Sequence, residues 1–234
     1  MKKRLLAFIF SCLLFVQLFT TPVFAAENQP ASPTAETRSS DESAKLKEIY
    51  AYLFPDAYHY IEEYEIYGIS DEEDITTIYS EYKDYGNKTY GLIVMSDGQI
   101  FANITEYSNT PNTRAANANG TATLQVGDFG HYLTFRCTYE MNYSGYDKIN
   151  TCDVVGSSGG GWLYYGVNLK KKYNEDANGP AYHIYTNSSM EYQGNSKIYD
   201  IGVAVGRDQV KGVAIPATGL DMFLWALFNS IFSH

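Results

Sequence analysis

Apolar residues recur at helical spacing in the segment after residue 40. The periodic residues are Leu46, Ile49, Tyr50 and Leu53. Asp41 or Ser43 precedes them as a cap, which predicts where the helix begins. Pro55 interrupts the pattern and opens a second helix, which ends near Gly68. The segment therefore predicts two consecutive helices.

The pattern after these helices is typical of strands. Asp74 to Tyr85 follows an acidic, helix-like start, but the branched residues Ile75 to Ile78 favour a strand. Gly86-Asn87 and Asp97-Gly98 are turn signals, and each is followed by a strand-like run. The two runs are Thr89 to Met95 and Gln99 to Glu106. Residues 41–107 thus predict a small acidic α+β module with two helices and a β-meander.

The second half of the chain contains strand-like runs separated by Gly, Asn, Asp and Ser, without helical patterns between them. The runs are His131 to Tyr143, Tyr146 to Val155, Trp162 to Lys172, Ala181 to Met190 and Ile198 to Val205. Their spacing predicts an antiparallel β-module, a sandwich or open barrel, over residues 121–215. The polar residues 108–120 predict a linker between the modules. The expected fold class is α+β, mostly antiparallel β.

Residues 216–234 predict an apolar helix that begins at a capping box, Thr218 to Asp221. Its apolar residues are Met222, Phe223, Leu224, Trp225, Leu227, Phe228, Ile231 and Phe232. A helix of about 13 residues spans roughly 20 Å, which is shorter than the bilayer core. We expect it to pack inside the protein, or against a partner or membrane interface. A membrane-active, toxin-like protein that contacts lipid through Leu220 to Phe232 is the alternative function.

The beginning of the chain predicts export. Three basic residues precede an apolar run from Leu5 to Phe19, and small residues at Val23 and Ala25 suit a leader peptidase. We expect a signal peptide over residues 1–25, compatible with a bacterial leader, and a disordered tether over residues 26–40. The protein is therefore expected to be secreted and extracellular.

The charge excludes nucleic acid as a partner. The formal net charge is −10 at pH 7, and without residues 1–25 it becomes −13, with 14 basic residues against 27 acidic ones. Proteins that bind nucleic acid neutralise phosphates with many lysines and arginines. The acid is concentrated in the first half, with 17 acidic and 5 basic residues between Glu27 and Tyr107.

Two cysteines, Cys137 and Cys152, remain after the leader and predict a disulfide in an oxidising compartment. If Ser144-Gly145 forms a two-residue turn, the cysteines lie opposite each other across one hairpin. The same register pairs Thr138 with Thr151 and Tyr143 with Tyr146. The alternative is a pair of free thiols that only pack together.

The aromatic content favours a binding function. The chain has 22 tyrosines, and a tyrosine ring can pack while its hydroxyl reaches water. We expect a non-catalytic module that binds an extracellular glycan or protein surface. The candidate binding residues are Trp162, Tyr164, Tyr165, Tyr182 and Tyr185. The alternative is that these rings are core residues or cross-strand pairs.

Candidate catalytic and metal-binding motifs are weak. Gly156 to Gly160 matches the G-x-S-x-G pattern of hydrolases, but no helix follows Ser158, so a secreted hydrolase is only a second alternative. Asn174 to Gly179 resembles the start of a calcium loop, but its closing position is Tyr185, and a hairpin turn is favoured. The four histidines are scattered. We therefore predict no catalytic residues, no metal and no cofactor.

Overall fold

The computed structural model describes residues 36–64, 75–108, 118–154, 162–163, 168–192 and 195–216. Helix α1 covers Ser40–Leu53 and helix α2 covers Tyr58–Glu63, with a 3-10 turn at Pro55–Ala57 between them. The break at Pro55 agrees with the sequence, because proline removes a backbone donor and starts a helix more readily than it continues one.

The cap of α1 is Ser39, not Asp41 or Ser43. The Ser39 hydroxyl accepts the Glu42 backbone N–H at 3.3 Å, and the Glu42 carboxylate accepts the Ser39 N–H at 2.9 Å. This capping box satisfies two backbone donors at once. Ser43 instead donates its hydroxyl to the Phe129 carbonyl at 2.9 Å, which ties the helix to the sheet beneath it.

The described strands form two antiparallel sheets. Those of the first sheet are β1 (Glu36–Thr37), β2 (Thr77–Tyr85), β3 (Lys88–Met95), β4 (Ile100–Tyr107), β5 (Ala118–Gly127), β6 (His131–Met141) and β7 (Lys148–Val154). Those of the second are β8 (Trp162–Leu163), β9 (Asn168–Lys172), β10 (Ala181–Tyr192), β11 (Asn195–Gly206) and β12 (Gln209–Pro216). Their order is β1-β6-β5-β4-β3-β2, with β7 also on β6, and β12-β11-β10-β8, with β9 also on β10. The mostly antiparallel β-fold is thereby confirmed.

The two sheets enclose the main core, and the helices cover the other face of the first sheet. Phe101, Phe135 and Tyr199 are fully or almost fully buried between the sheets. On the opposite face of the first sheet, Tyr50 of α1 and Phe54 directly after this helix pack against residues such as Leu92 and Phe129. The alternating side chains of β3 and β4 supply both layers, because successive strand residues point to opposite faces.

The first and second halves of the chain share one sheet and one core. Strand β4 pairs directly with β5, with Thr105 opposite Leu124. Residues 118–120, assigned to the linker from the sequence, begin β5. The ring centroids of Phe101 and Tyr199 lie 5.1 Å apart across the sheets. The described residues thus belong to one compact unit instead of two separate modules joined at 108–120.

The end of the predicted tether is ordered. Glu36–Thr37 pairs with β6, and the Arg38 guanidinium donates to the Asp128 carbonyl and to the Gln125 side chain, each at 2.8 Å. It also lies 4.0 Å from the centre of the Tyr132 ring. These charge-assisted contacts stabilise a segment whose composition alone predicts disorder.

The disulfide hairpin forms with a modified register. Cys137 and Cys152 are bonded and lie opposite each other with a Cα separation of 4.1 Å, and Thr138 faces Thr151. The register then shifts by one residue, so that Tyr139 faces Ile149. The predicted pairing of Tyr143 with Tyr146 is therefore wrong, because a bulge and a longer loop replace the two-residue turn.

The leader at residues 1–25 and the predicted C-terminal helix lie outside the described residues, apart from Pro216 at the end of β12. The helices in the described ranges are too short, or not apolar enough, to span a bilayer.

Candidate functional site

A cleft of about 200 Å³ opens where the turn between β2 and β3 meets the turn between β11 and β12. Its lining residues are Asp84, Gly86, Lys88, Thr89, Tyr107, Met141, Asp208, Gln209 and Lys211. Four of them carry charge, two of each sign. The cleft is therefore polar and close to neutral, and it lies between turns that both sheets hold in place.

Lys211 is the most buried charged residue of this lining, with 5 % of its surface exposed. Burial lowers its pKa to about 8, and Asp84 partly opposes this shift. The ammonium group lies 4.5 Å from the centre of the Tyr82 ring, a cation–π arrangement. Lys211 thus presents a weakly hydrated donor that is charged at neutral pH.

Tyr82 joins the two sheets beside Lys211. Its hydroxyl donates to the Gly212 carbonyl at 2.8 Å. Its ring lies over Gly91 on the neighbouring strand, and a Cβ at position 91 would be 2.4 Å from a ring carbon. Glycine is needed there because the ring occupies the space that a side chain would take.

A hydroxyl network also lines the cleft. The Thr89 hydroxyl donates to the Asp84 carboxylate at 2.6 Å and lies 3.2 Å from the Tyr107 hydroxyl. Tyr107 in turn donates to the Val210 carbonyl of β12 at 3.1 Å. Burial is the main cause that raises the pKa of Tyr107. This network therefore offers neutral hydroxyls and one carboxylate.

Gln209 brings a buried acceptor to the cleft. Its side-chain oxygen is buried and has no hydrogen-bond partner among the described residues. Gln209 follows a two-residue turn at Arg207 and Asp208, where φ is +47° and +60°. Such a turn matches the twist of a hairpin, but positive φ is costly for residues other than glycine.

Two buried carboxylates hold this turn. The Asp208 N–H donates to Asp147 at 2.7 Å, and the Arg207 N–H donates to Glu175 at 3.3 Å. Glu175 also accepts the Asp147 N–H at 2.9 Å, so three loops meet at these groups. Hydrogen bonds from backbone N–H groups stabilise the left-handed backbone of the turn that carries Gln209.

Asp147 is expected to make the stability depend on pH. Burial is the main cause that raises its pKa from 3.8 to about 6, and Glu175 adds to the shift. The folded protein therefore binds the proton of the Asp147 carboxyl group more tightly than the unfolded chain does. The stabilisation that this gives below about pH 4 is lost as the pH rises through 6. After solvent screening we expect Asp147 alone to contribute a loss of roughly 1–2 kcal/mol between pH 4 and 7, measured by urea denaturation as the difference between the wild type and Asp147→Asn.

Two variants separate this effect from that of a buried histidine. Burial lowers the pKa of His183 to about 4, so this residue acts in the opposite direction and reduces stability as the pH falls. Relative to the wild type, Asp147→Asn should gain stability as the pH rises from 4 to 7, whereas His183→Gln should lose stability over the same range. An unchanged pH profile in Asp147→Asn would contradict the assignment.

Of the predicted aromatic residues, the structure describes the side-chain positions of Tyr182 and Tyr185, which lie on different faces of β10. Tyr182 faces Ala204 across β11, whereas Tyr185 faces Ile201, a residue of the inter-sheet core. The two tyrosines lie on opposite faces of β10, because three positions separate them. Tyr185 packs inward, with its ring centroid 6.1 Å from that of Phe135.

The remaining predicted aromatic residues are only partly described. Trp162 pairs through its backbone with Met190, while Tyr164 and Tyr165 lie outside the described residues. Ser158 of the hydrolase-like motif also lies outside them.

The segment that resembles a calcium loop is a turn in the structure. The Asp176 carboxylate accepts a hydrogen bond from Lys172 at 2.7 Å and from the Asn178 N–H at 2.8 Å. Gly179 follows with φ of +145°, a conformation that favours glycine. Within the described residues, no three acidic, histidine or cysteine side chains are grouped as metal ligands would be.

Comparisons with protein-family models, curated proteins and solved structures found no match to this chain. The cleft itself is therefore the basis for a functional assignment. Its residues come from β2, β3, β4, β6 and β12, and from the turns that adjoin them. The one local signal was Lys211, a lone lysine in the apolar run from Val210 to Ile215.

Proposed function

We propose that the protein is a secreted, non-catalytic binding module that holds a saccharide-sized polyhydroxylated ligand in the cleft at Lys211 and Gln209. In this proposal the leader is removed after Ala25 and the rest of the chain acts outside the cell. The ligand is a single sugar unit at the end or on the surface of an extracellular glycan.

The buried, unpartnered oxygen of Gln209 is the observation that carries the proposal. A buried acceptor without a partner costs roughly 1–3 kcal/mol. In this proposal the Gln209 side chain rotates into the cleft on binding, where a ligand hydroxyl donates to its oxygen and recovers this cost. Lys211 lies in the same lining and supplies a donor. A sugar ring suits such a pair, because its hydroxyls donate and accept from adjacent carbons.

The size and charge of the cleft favour the same ligand class. A volume of about 200 Å³ corresponds to roughly seven water molecules at about 30 Å³ each, which is close to one sugar ring. The lining has two carboxylates and two ammonium groups, of which Lys88 is 3.3 Å from Glu106 at the rim. This balance favours a neutral, hydroxyl-rich ligand over a strongly charged one.

Binding should depend on Lys211 and Gln209. The experiment is ligand-observed NMR with a panel of neutral, amino and uronic monosaccharides and their disaccharides, followed by calorimetry on the responding sugar. Lys211→Met and Gln209→Leu should each weaken binding about tenfold, the loss of one good hydrogen bond to a buried group. Affinity should also fall as the pH rises through about 8, where Lys211 loses its proton.

The control is Lys45→Met, which removes an exposed lysine of α1 and should leave binding unchanged. Tyr182→Ala tests the aromatic site expected from the sequence and should also have little effect. The absence of binding across the panel, or binding that survives both cleft substitutions, would refute the proposal. Binding that requires Tyr182 and not Lys211 would return the site to β10.

A further inference from the structure

The second sheet has an apolar outer face that turns away from the main core. Strand β11 contributes Ile201 and Val203 to the inter-sheet core, so Gly202 and Ala204 point outward. Gly202 is flanked in register by Ile184 on β10 and Val213 on β12. Ala204 is flanked by Tyr182 and by Lys211, which lines the cleft. Because paired residues share a face of a sheet, these side chains form one continuous surface.

This outer face is buried, although the described helices cover a different sheet. Ile184, Ala204, Val213 and Ile215 are each 0 % exposed. The described elements that pack most closely on β10, β11 and β12 from outside their own sheet are strands of the first sheet, which lie on the inner side. The helices α1 and α2 contribute to the separate cluster on the first sheet. The burial of the outer face therefore requires a covering layer from outside the described ranges.

The amino-acid composition indicates which segment can supply that layer. The ranges 26–35, 65–74, 109–117, 155–161 and 193–194 are short and largely acidic, polar or rich in glycine. The range 164–167 reads Tyr-Tyr-Gly-Val, but four residues are too few to cover a face of three strands. The leader is apolar, but we expect it to be removed. The C-terminal segment is apolar over most of Leu220 to Phe232 and follows β12 directly.

The dimensions of the face suit a single helix. A helix about 10 Å wide covers two to three strands, since neighbouring strands lie about 4.8 Å apart. The 13 residues from Leu220 to Phe232 would extend for about 20 Å, within the length of β12, whose 8 residues span about 26 Å. The three connecting residues, 217–219, let Leu220 lie up to about 13 Å from Pro216, which is enough to turn back over the sheet.

The middle of the face is shaped as a trough. Gly202 has no side chain, and a Cβ there would lie 2.2 Å from the His183 carbonyl oxygen. Ala204 lies two positions further along the same strand, so small residues run along β11 between larger ones on β10 and β12. We infer that Leu220 to Phe232 docks into this trough as a helix and forms the outer layer of the second sheet.

Trp225 offers a direct test in the full mature chain. In a Trp162→Phe background Trp225 is the sole tryptophan, so its fluorescence reports on the C-terminal segment alone. We expect blue-shifted emission and weak acrylamide quenching without lipid. Val213→Asp should shift the emission to the red and increase quenching several-fold. Lys170→Asp, an exposed position on the same face of β9, is the matched control and should change neither.

A second measurement covers the case in which Val213→Asp does not fold. In the full mature Trp162→Phe chain, the backbone amides of residues 222–232 should be protected from hydrogen exchange in the absence of lipid. Trp225 that is quenched as readily as free tryptophan would overturn the inference. Protection of Trp225 only after addition of phosphatidylcholine vesicles would also overturn it and support membrane insertion instead.

Discussion

Replacing Tyr50 with alanine is expected to lower the free energy of unfolding by about 3–5 kcal/mol. The Tyr50 ring is fully buried, with centroid distances of 5.5 Å to Phe54, 5.8 Å to Tyr90 and 5.6 Å to Phe129. Its hydroxyl donates to the Asn103 carbonyl at 2.6 Å. Alanine would leave a cavity between α1 and the first sheet and would remove the hydrogen bond to the Asn103 carbonyl. Urea denaturation followed by circular dichroism measures the loss.

Two control variants separate the contributions of the ring and the hydroxyl. Tyr50→Phe keeps the ring and should cost only about 1–2 kcal/mol, the effect of one buried hydrogen bond. Tyr52→Ala changes a residue of the same helix that is 82 % exposed, and should stay within about 0.5 kcal/mol. If Tyr50→Ala were as mild as Tyr52→Ala, the packing of α1 on the sheet would be refuted.

Changing both Cys137 and Cys152 to serine is expected to lower the free energy of unfolding by about 3 kcal/mol. The bond closes a loop with a sequence separation of 15 residues, which restricts the unfolded chain. Both positions are buried in the inter-sheet core, so the serine hydroxyls add a desolvation cost. Urea denaturation of the oxidised protein and of the double variant measures the difference.

The neighbouring cross-strand pair provides the control. The hydroxyls of Thr138 and Thr151 are 2.7 Å apart beside the disulfide. Because this pair is partly solvated, Thr138→Val with Thr151→Val should cost less than about 1 kcal/mol. Equal stability of the oxidised and reduced wild-type protein would contradict a stabilising role for the bond.

The hairpins are the part of the fold that the sequence predicts best. The turns at Gly86-Asn87 and at Asp97-Gly98 were identified from residue types alone, and Gly86 and Gly98 have φ of +67° and +83°. Positive φ at a turn depends on the residue itself, so it can be inferred locally. The register of Cys137 and Cys152 was predictable for the same reason, up to the bulge beyond Thr138.

The relation between the two halves of the chain could not be predicted from composition. The acidic and neutral halves suggest separate modules, but β4 and β5 pair along the sheet from residue 104 to residue 107. Strand pairing between distant segments depends on shape and hydrophobic burial across the whole sheet, and net charge says little about it.

Strand β12 could not be identified from the sequence either. Its apolar run is nearly continuous and lacks the alternation of apolar and polar residues that marks a half-exposed strand.

The residues of the candidate site could not be predicted from the sequence either. Asp84 and Lys211 are 127 positions apart in the sequence and meet only because a turn of each sheet reaches the same end of the sandwich. The predicted aromatic residues on β10 failed to form a single surface for a simple reason: Tyr182 and Tyr185 differ by an odd number of positions. An odd spacing on one strand predicts side chains on opposite faces, so the sequence already contained evidence against grouping these two tyrosines.

The sequence by itself determined the antiparallel β-character, the two helices, two hairpin turns and the cysteine pair. These features depend on the conformational preferences of neighbouring residues and on short-range periodicity, which are properties of the local chain. Only the tertiary structure decided that one sheet joins the two halves, that Tyr185 faces the core, and that Gln209 and Lys211 share a cleft. Those outcomes depend on which distant surfaces exclude water together, and the free energy of that burial belongs to the assembled sheets instead of to any segment.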